Sequence, residues 1–175
     1  MRPSAVLCAL YDDDHGRATV VLTRRAQHLR THRGEVSFPG GGAEPVDVDH
    51  WATAVRESVE EVGLDPADLE RLGELDHLRT VSGRSYIVPL VAALPTRPDL
   101  VPDPREVERI LHVPLDDLLA TGTYREELWG LPQLERPIFF FEVPGDTIWG
   151  ATAAMLRNLL LVALGLPDPL APSGR

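Results

Sequence analysis

Arg56-Glu57-Ser58-Val59-Glu60-Glu61-Val62-Gly63-Leu64 is the stretch that decides how this chain is read. Ala52, Val55, Val59 and Val62 recur at spacings of 3, 4 and 3, which predicts a helix over residues 50–62 with one apolar stripe. Asp49 suits the N-cap, and Gly63 suits the left-handed residue that ends a helix. Side chains three and four positions apart on a helix are neighbours, so Glu57, Glu60 and Glu61 lie together, opposite or beside the valines. Like charges at that spacing oppose the helix by roughly a few tenths of a kcal/mol per pair. A hard divalent cation offsets this cost, because carboxylate oxygens are its preferred ligands. A solvated acidic face is the plainer alternative.

Two neighbouring stretches favour the cation. Pro39-Gly40-Gly41-Gly42 reads as a turn that neither a strand nor a helix can continue, with its backbone N–H and C=O groups open. Just before it, residues 24–33 hold Arg24, Arg25, Arg30, Arg33, His28 and His32 with few apolar residues, as expected of a loop. Cations, an open glycine backbone and clustered carboxylates are the parts of a metal-assisted phosphate site.

Elsewhere, strands are expected at 6–10 and 19–23 around a turn at 12–16, and at 35–38, 72–78, 86–94, 107–113 and 138–143. Prolines mark a loop over 95–104. A short helix is expected at 114–120 with Pro114 in its first turn, and a longer one at 150–164 closed by Gly165 and Pro167. Strands around two separated helices, without regular β–α–β alternation, indicate an α+β sandwich. One domain over 1–167 is expected, with 168–175 as a flexible tail.

The 175 residues suffice for one domain with a full core. Hydrophobic residues are 43% and charged residues 25%, the balance of a globular protein. A net charge of −10 argues against binding to nucleic acid or anionic membrane, which requires a basic face. No apolar run reaches the length of a membrane span, and the N-terminus does not read as a signal peptide. The single cysteine, Cys8, excludes a disulfide within the chain and a cysteine zinc site; it is expected in the core, and a cytoplasmic, reducing setting is expected for the protein. A dinucleotide fingerprint is incomplete, since Gly40-x-Gly42-x-x-Pro45 lacks the last glycine, and no P-loop is present.

Arg56-Glu57-x-x-Glu60-Glu61-x-Gly63-Leu64 resembles the end of the Nudix box, G-x5-E-x7-R-E-U-x-E-E-x-G-U with U apolar. The front of the box departs from it: counting back places Gly42 at the glycine and Val48 at the first glutamate. Asp47, one position earlier, is the acidic substitute, and Gly41 then takes the turn role. Ser58 is polar where the pattern is aliphatic. Leu22-Thr23-Arg24-Arg25-Ala26-x3-Arg30-x3-Gly34-x3-Phe38-Pro39-Gly40-Gly41 resembles the motif upstream of the box in the coenzyme A diphosphatase branch, which also has Asp at the place of Asp47. Ile148-Trp149-Gly150-Ala151-Thr152-Ala153 is similar to the start of that branch's C-terminal helix.

The resemblance implies a Nudix-type α/β/α sandwich with a mixed central sheet. It implies a hydrolase of diphosphate linkages working with Mg2+ or Mn2+, most directly on coenzyme A or acyl-CoA to give 3′,5′-ADP and (acyl-)4′-phosphopantetheine. ADP-ribose, NADH or a nucleoside triphosphate is the alternative substrate, and a non-catalytic binding module of the same fold is the alternative of another kind. Glu57 and Glu61 become the metal ligands, with Glu60 as a third ligand or as holder of a water, and a carbonyl of Gly40 or Gly41 completing the shell. Arg56 orients a glutamate or simply pairs with Glu60. The general base is a box glutamate or Glu106. Arg24, Arg25, Arg30 and Arg33, with Gly40 and Gly41, meet the substrate phosphates. His28 and His32 read as surface or packing residues. Trp51, Trp129 and Trp149 read as core residues, with stacking on adenine as the alternative. The implied partner is a small diphosphate molecule, and a homodimer is left open.

Overall fold

The computed structural model describes residues 2–80, 85–131, 133 and 135–170. It opens with the strands Arg2–Asp12 (β1), Ala18–Arg25 (β2), Val36–Ser37 (β3) and Gly40–Gly42 (β4), followed by the helix His50–Val62 (α1). Next come Glu70–Glu74 (β5), Leu78–Arg79 (β6), Ser85–Ala93 (β7), Val107–Pro114 (β8) and the single helical turn Leu115–Leu118 (α2). Tyr124–Trp129 (β9), Arg136–Val143 (β10), Asp146–Trp149 (β11) and the helix Gly150–Ala163 (α3) complete the chain.

β1 is the axis of the main sheet. It pairs in parallel with β7 from Arg2↔Ser85 to Leu10↔Ala93. Its other edge is shared: β2 takes Leu10, Tyr11 and Asp12, and β4 takes Ser4, Ala5 and Val6, both antiparallel. The main path runs β3-β2-β1-β7-β5, with β8 on β2 and β6 on β7, so the sheet is mixed. β11-β10-β9 form a separate antiparallel sheet. The period of two along each strand sends alternate side chains to opposite faces. Ala5, Leu7 and Ala9 of β1 join Val21, Val88 and Leu90 against Ala54 and Val62 of α1. Cys8, Val20, Leu22 and Val91 face the other way, onto Leu156 and Leu159 of α3 and Phe139 and Phe141 of β10. The result is the layered α+β sandwich that the resemblance implied. Each fully buried leucine, such as Leu7 or Leu156, contributes about 1.5–3 kcal/mol of burial.

Cys8 is fully buried, and burial pushes its thiol well above the ordinary range. It is therefore expected to resist an aromatic disulfide reagent in the native protein and to react at once in denaturant, read as absorbance of the released thiolate. Fast labelling of the native chain contradicts this packing.

Three expectations are corrected. Gly40–Gly42 is a strand rather than a turn, held by β1 and by Leu7 N–H donating to the Pro39 carbonyl at 2.8 Å. Without side chains it lets β1 and α1 approach from two sides. The inward face of α1 is Thr53, Ala54, Ser58, Glu61 and Val62, whereas Val59 of the expected stripe is 40% exposed. The helix turns its polar side toward the glycine strand, and Ser58 settles its buried hydroxyl by donating to the Ala54 carbonyl at 2.7 Å. Pro114 stands at the N-cap of α2 and not in its first turn. Of the expected tail, Asp168 accepts from Arg157 at 2.9 Å, and residues 171–175 lie outside the described residues. Among the described residues no helix is long and apolar enough to cross a membrane.

Candidate active site

The site forms where α1 lies across β4. Asp49 caps the helix by accepting from Ala52 N–H at 2.7 Å, and Gly63 ends it in the left-handed conformation with φ 67°. That frame fixes which side chains meet the glycines. Glu61 is 4% exposed and accepts a hydrogen bond from Gly40 N–H at 3.1 Å. Glu57, one turn earlier, lies against Gly41 so closely that a Cβ there would sit 2.5 Å from its Cδ. Glycine at position 41 is thus the room in which the Glu57 carboxylate stands.

Burial pushes Glu61 up to about 7, and the charges of Glu106 and Glu57 act in the same direction. Burial also raises Glu57, again with Glu106 among the causes. Glu106 is therefore within electrostatic reach of both, although its loop carries it on the surface. The loop is laced to the end of α1: Val101 N–H donates to the Val62 carbonyl at 2.9 Å, and Asp103 N–H to the Glu61 carbonyl at 2.8 Å. Those bonds use carbonyls that the last helical turn leaves free.

Arg56 organises the outer side. Its Nε and Nη2 each lie 3.0 Å from an oxygen of Asp47, a bidentate pair. Nη1 donates to Glu57 at 3.0 Å and to Glu60 at 3.3 Å, and Nη2 to the Gly42 carbonyl at 3.2 Å. Asp47 also accepts from Glu44 N–H at 2.8 Å and Thr53 Oγ1 at 3.0 Å. Its carboxyl is held far below the ordinary range, first by Arg56. Asp47, and not the exposed Val48, is the acidic residue that faces Arg56.

The expected convergence of three glutamates is corrected to two. Glu60 has a side chain 58% exposed and leans to Arg56, because one further residue of helix rotates it about 100° away from Glu61. Arg24 and Arg25, expected together, are separated by strand alternation. Arg25 stays on the α1 side, where its charge acts on Glu61 and its buried Nε has no hydrogen-bond partner. Arg24 points to the other face, to Asp146 at 2.9 Å, with its Nε 3.3 Å from Glu108. Arg30 and Arg33 are exposed, and among the described residues they have no hydrogen-bond or ion-pair partner. His28 meets the Arg105 carbonyl at 3.0 Å and His32 meets Glu35 at 2.9 Å. Trp129 and Trp149 are not core residues: they are 48% and 38% exposed. Trp51 is half-buried beneath the Arg71 guanidinium.

A profile of the NUDIX domain matches residues 1–131, the whole span from β1 past the carboxylate helix to β9. The chain belongs to the Nudix hydrolase family. It is 36% identical over 143 residues to the "Uncharacterized Nudix hydrolase NudL" of Photorhabdus laumondii, covering 82% of this chain and 76% of that one. It is 37% identical over 172 residues to "Nudix hydrolase 22, chloroplastic" of Arabidopsis thaliana, covering 95% of this chain and 57% of the plant protein. The crystal structure of the Nudix hydrolase RenU from M. smegmatis superposes with a TM-score of 0.64 at 20% identity, over 99% of this chain and 90% of that one. At that identity the likeness concerns the fold.

Nudix hydrolases generally use a divalent metal ion, and the carboxylate corner fits one. Among the described residues no three carboxylate, histidine or cysteine side chains form a ready cage. A hard ion such as Mg2+ does not need one, since it binds through one or two carboxylates and completes its shell with waters and substrate phosphate. Glu57 and Glu61 supply that pair, and burial outweighs what Arg56 relieves at Glu57 and what the Gly40 N–H relieves at Glu61. This has a pH signature. Without metal, Glu61 holds its proton more tightly folded than unfolded, where a carboxylate titrates near 4.5. Its contribution to stability is therefore lost as pH rises from about 4.5 through about 7. In EDTA, the melting temperature of the wild type should fall from pH 6 to pH 8 relative to Glu61→Gln, and Mn2+ should raise the wild type more at pH 8 than at pH 6. Parallel pH profiles for the two proteins refute the buried carboxylate.

Proposed function

We propose that this Nudix hydrolase cleaves the diphosphate of coenzyme A or acyl-CoA, giving 3′,5′-ADP and (acyl-)4′-phosphopantetheine, with Mg2+ or Mn2+ as cofactor. The observation that carries the reading is the Glu57–Glu61 pair beside Gly40 and Gly41, with the Arg25 charge acting on Glu61. The carboxylates would hold the ion, with a carbonyl of the glycine strand, Gly40 or Gly41, as the further candidate ligand. When bound, the ion neutralises diphosphate charge and lowers the pKa of a water molecule.

The chain's own groups supply the rest. Asp47 fixes Arg56, and Arg56 fixes Glu57, so the ligand carboxylate is oriented before substrate arrives. Arg25 presents a half-buried cation for a substrate phosphate. Glu106, electrostatically joined to the pair, is the candidate to accept the proton of the attacking water. The hydroxyl of that water joins one phosphorus, the P–O bond to the bridging oxygen breaks, and the other phosphate leaves with that oxygen.

ADP-ribose, NADH and nucleoside triphosphates present the same phosphoric anhydride to the same carboxylates. CoA is preferred because it carries a 3′-phosphate in addition to the diphosphate, and Arg30 and Arg33 are exposed cations with no partner among the described residues. The test is chromatography of products from CoA, acetyl-CoA, ADP-ribose, NADH and a nucleoside triphosphate, with Mg2+, with Mn2+ and with EDTA. Fastest turnover of a CoA species, stopped by EDTA, is the expected result. Faster turnover of ADP-ribose rejects the substrate assignment.

A further inference from the structure

The small sheet runs β11-β10-β9, so the outer edge of β9 has no strand beside it among the described residues. Glu142 N–H donates to the Thr123 carbonyl at 2.8 Å, just before β9 begins. In an antiparallel pair, bonded and non-bonded positions alternate. Arg125, Glu127 and Trp129 therefore turn their N–H and C=O groups inward, to Phe140, Ile138 and Arg136 of β10. Leu128 stands opposite Pro137, which has no N–H to give, and this agrees with the alternation. The backbone groups of Tyr124, Glu126 and Leu128 point outward, and these three residues are exposed.

Sheet edges of this kind template further pairing unless something blunts them. The other edges are blunted. β8 has an irregularity opposite Arg24 and Arg25 and ends on Pro114, β5 has one between Arg71 and Gly73, and β3 and β6 are two residues long. β9 holds neither proline nor lysine, and its register with β10 is unbroken from Trp129↔Arg136 to Tyr124↔Phe141. Apolar surface lies along it: Tyr124, Leu128 and Trp129 are 37%, 67% and 48% exposed.

The strand Tyr124-Arg125-Glu126-Glu127-Leu128-Trp129 also complements itself. Outward-pointing residues of one copy have to meet outward-pointing residues of another, which leaves Arg125, Glu126 or Glu127 on a two-fold axis within the strand. An axis through Arg125 sets arginine on arginine. An axis through Glu127 sets glutamate on glutamate and Arg125 on Trp129. An axis through Glu126 sets Arg125 opposite Glu127 twice and Tyr124 opposite Leu128 twice. It places the opposite charges in the closer, non-bonded pairs and the one like pair, Glu126 on its copy, in the wider bonded pair. Arg125 is already held for this, by Glu127 and Glu142 of its own chain and over the Phe140 ring at 3.8 Å.

We propose that β9 is a homodimer interface, in which two copies of this chain pair antiparallel through their β9 edges about a two-fold axis at Glu126. The two small sheets become one continuous sheet. Arg125 and Glu127 of both copies alternate in sign around the axis, and Trp129 comes opposite Thr123 of the second copy. The contact is independent of the substrate and of the metal.

Analytical ultracentrifugation of the full chain over a range of concentrations tests this. A monomer–dimer equilibrium is expected, without larger species, because an isologous contact closes on itself. Arg125→Glu and Glu127→Arg each bring like charges together twice and should each weaken the dimer by about 10-fold or more. An equimolar mixture of the two variants should associate again, since each then offers the other opposite charges. Damage confined to one strand is not mended in this way. Glu126→Pro removes the outward N–H on the axis and no bond to β10, so it should abolish the dimer and leave the melting temperature of the dilute protein near that of the wild type. Glu126→Gln removes the like pair and should tighten the dimer. A wild type that stays monomeric up to about 1 mM overturns the proposal. So does a dimer that the charge variants and Glu126→Pro leave intact. Failure of the mixed variants to associate, when each melts like the wild type, overturns it as well, and so does a weaker dimer in Glu126→Gln.

Discussion

Glu61→Gln should lower kcat by about 100-fold or more while the chain stays folded. The amide keeps the shape and still accepts from Gly40 N–H, so packing is preserved. The negative charge is lost, and with it the affinity for a hard divalent ion. Because Glu61 is desolvated, the neutral variant should be no less stable than the wild type at neutral pH in EDTA. Glu57→Gln should act in the same direction, and the double variant should lose far less than the product of the two, since ligands of one ion act as a unit. Glu60→Gln should be the mildest of the three, because its side chain stands apart with Arg56. Steady-state kinetics with calorimetric melting decides the matter. A Glu61→Gln enzyme of wild-type rate removes the metal role, and an unfolded one removes the structural part of the argument.

The second large effect separates two adjacent glycines. Gly40 has φ 152°, and a Cβ there would lie 2.4 Å from the Ala5 carbonyl oxygen and 2.6 Å from Val6 Cα. Both obstacles are backbone of the central strand and cannot yield. Gly40→Ala should therefore cost about 3 kcal/mol or more, or roughly 6–12 °C in melting temperature for a domain of this size. The atoms nearest a Cβ at Gly41 are those of the Glu57 carboxylate, the far end of a flexible side chain. Gly41→Ala should keep most of its stability and lose activity, because Glu57 is pushed from its place. Equal melting temperatures for the two variants would contradict the close approach of β4 to β1.

The expectation about these glycines shows where reading residues in order succeeds and fails. Helix α1 was legible to the residue, because Asp49 and Gly63 act locally as its two ends. The glycine run was misread, since its conformation is set by β1, more than thirty residues earlier in the chain. The valine stripe misled for a related reason. Amphipathicity marks the inward side of a helix when the core is apolar, and here the inward side carries the chemistry. Strand alternation could have split Arg24 from Arg25, given that β2 continues through both. No periodicity could have brought Glu106 to Glu61, because that proximity is made by hydrogen bonds from the 101–106 segment to the end of α1. Strand β9 was missed because Tyr124–Trp129 is largely exposed on both faces and shows no alternation. Asp47 was legible only through the resemblance, and its partner Arg56 only in three dimensions.

The central claim is that Glu57 and Glu61, beside the glycine strand, hold a divalent cation. The most direct measurement is anomalous diffraction from a crystal soaked in MnCl2, collected at the manganese edge. The account predicts a peak between the Glu57 and Glu61 carboxylates, beside the glycine strand, and its loss in Glu61→Gln. A fully soaked crystal with no peak at that corner, or with manganese bound only elsewhere, would contradict it.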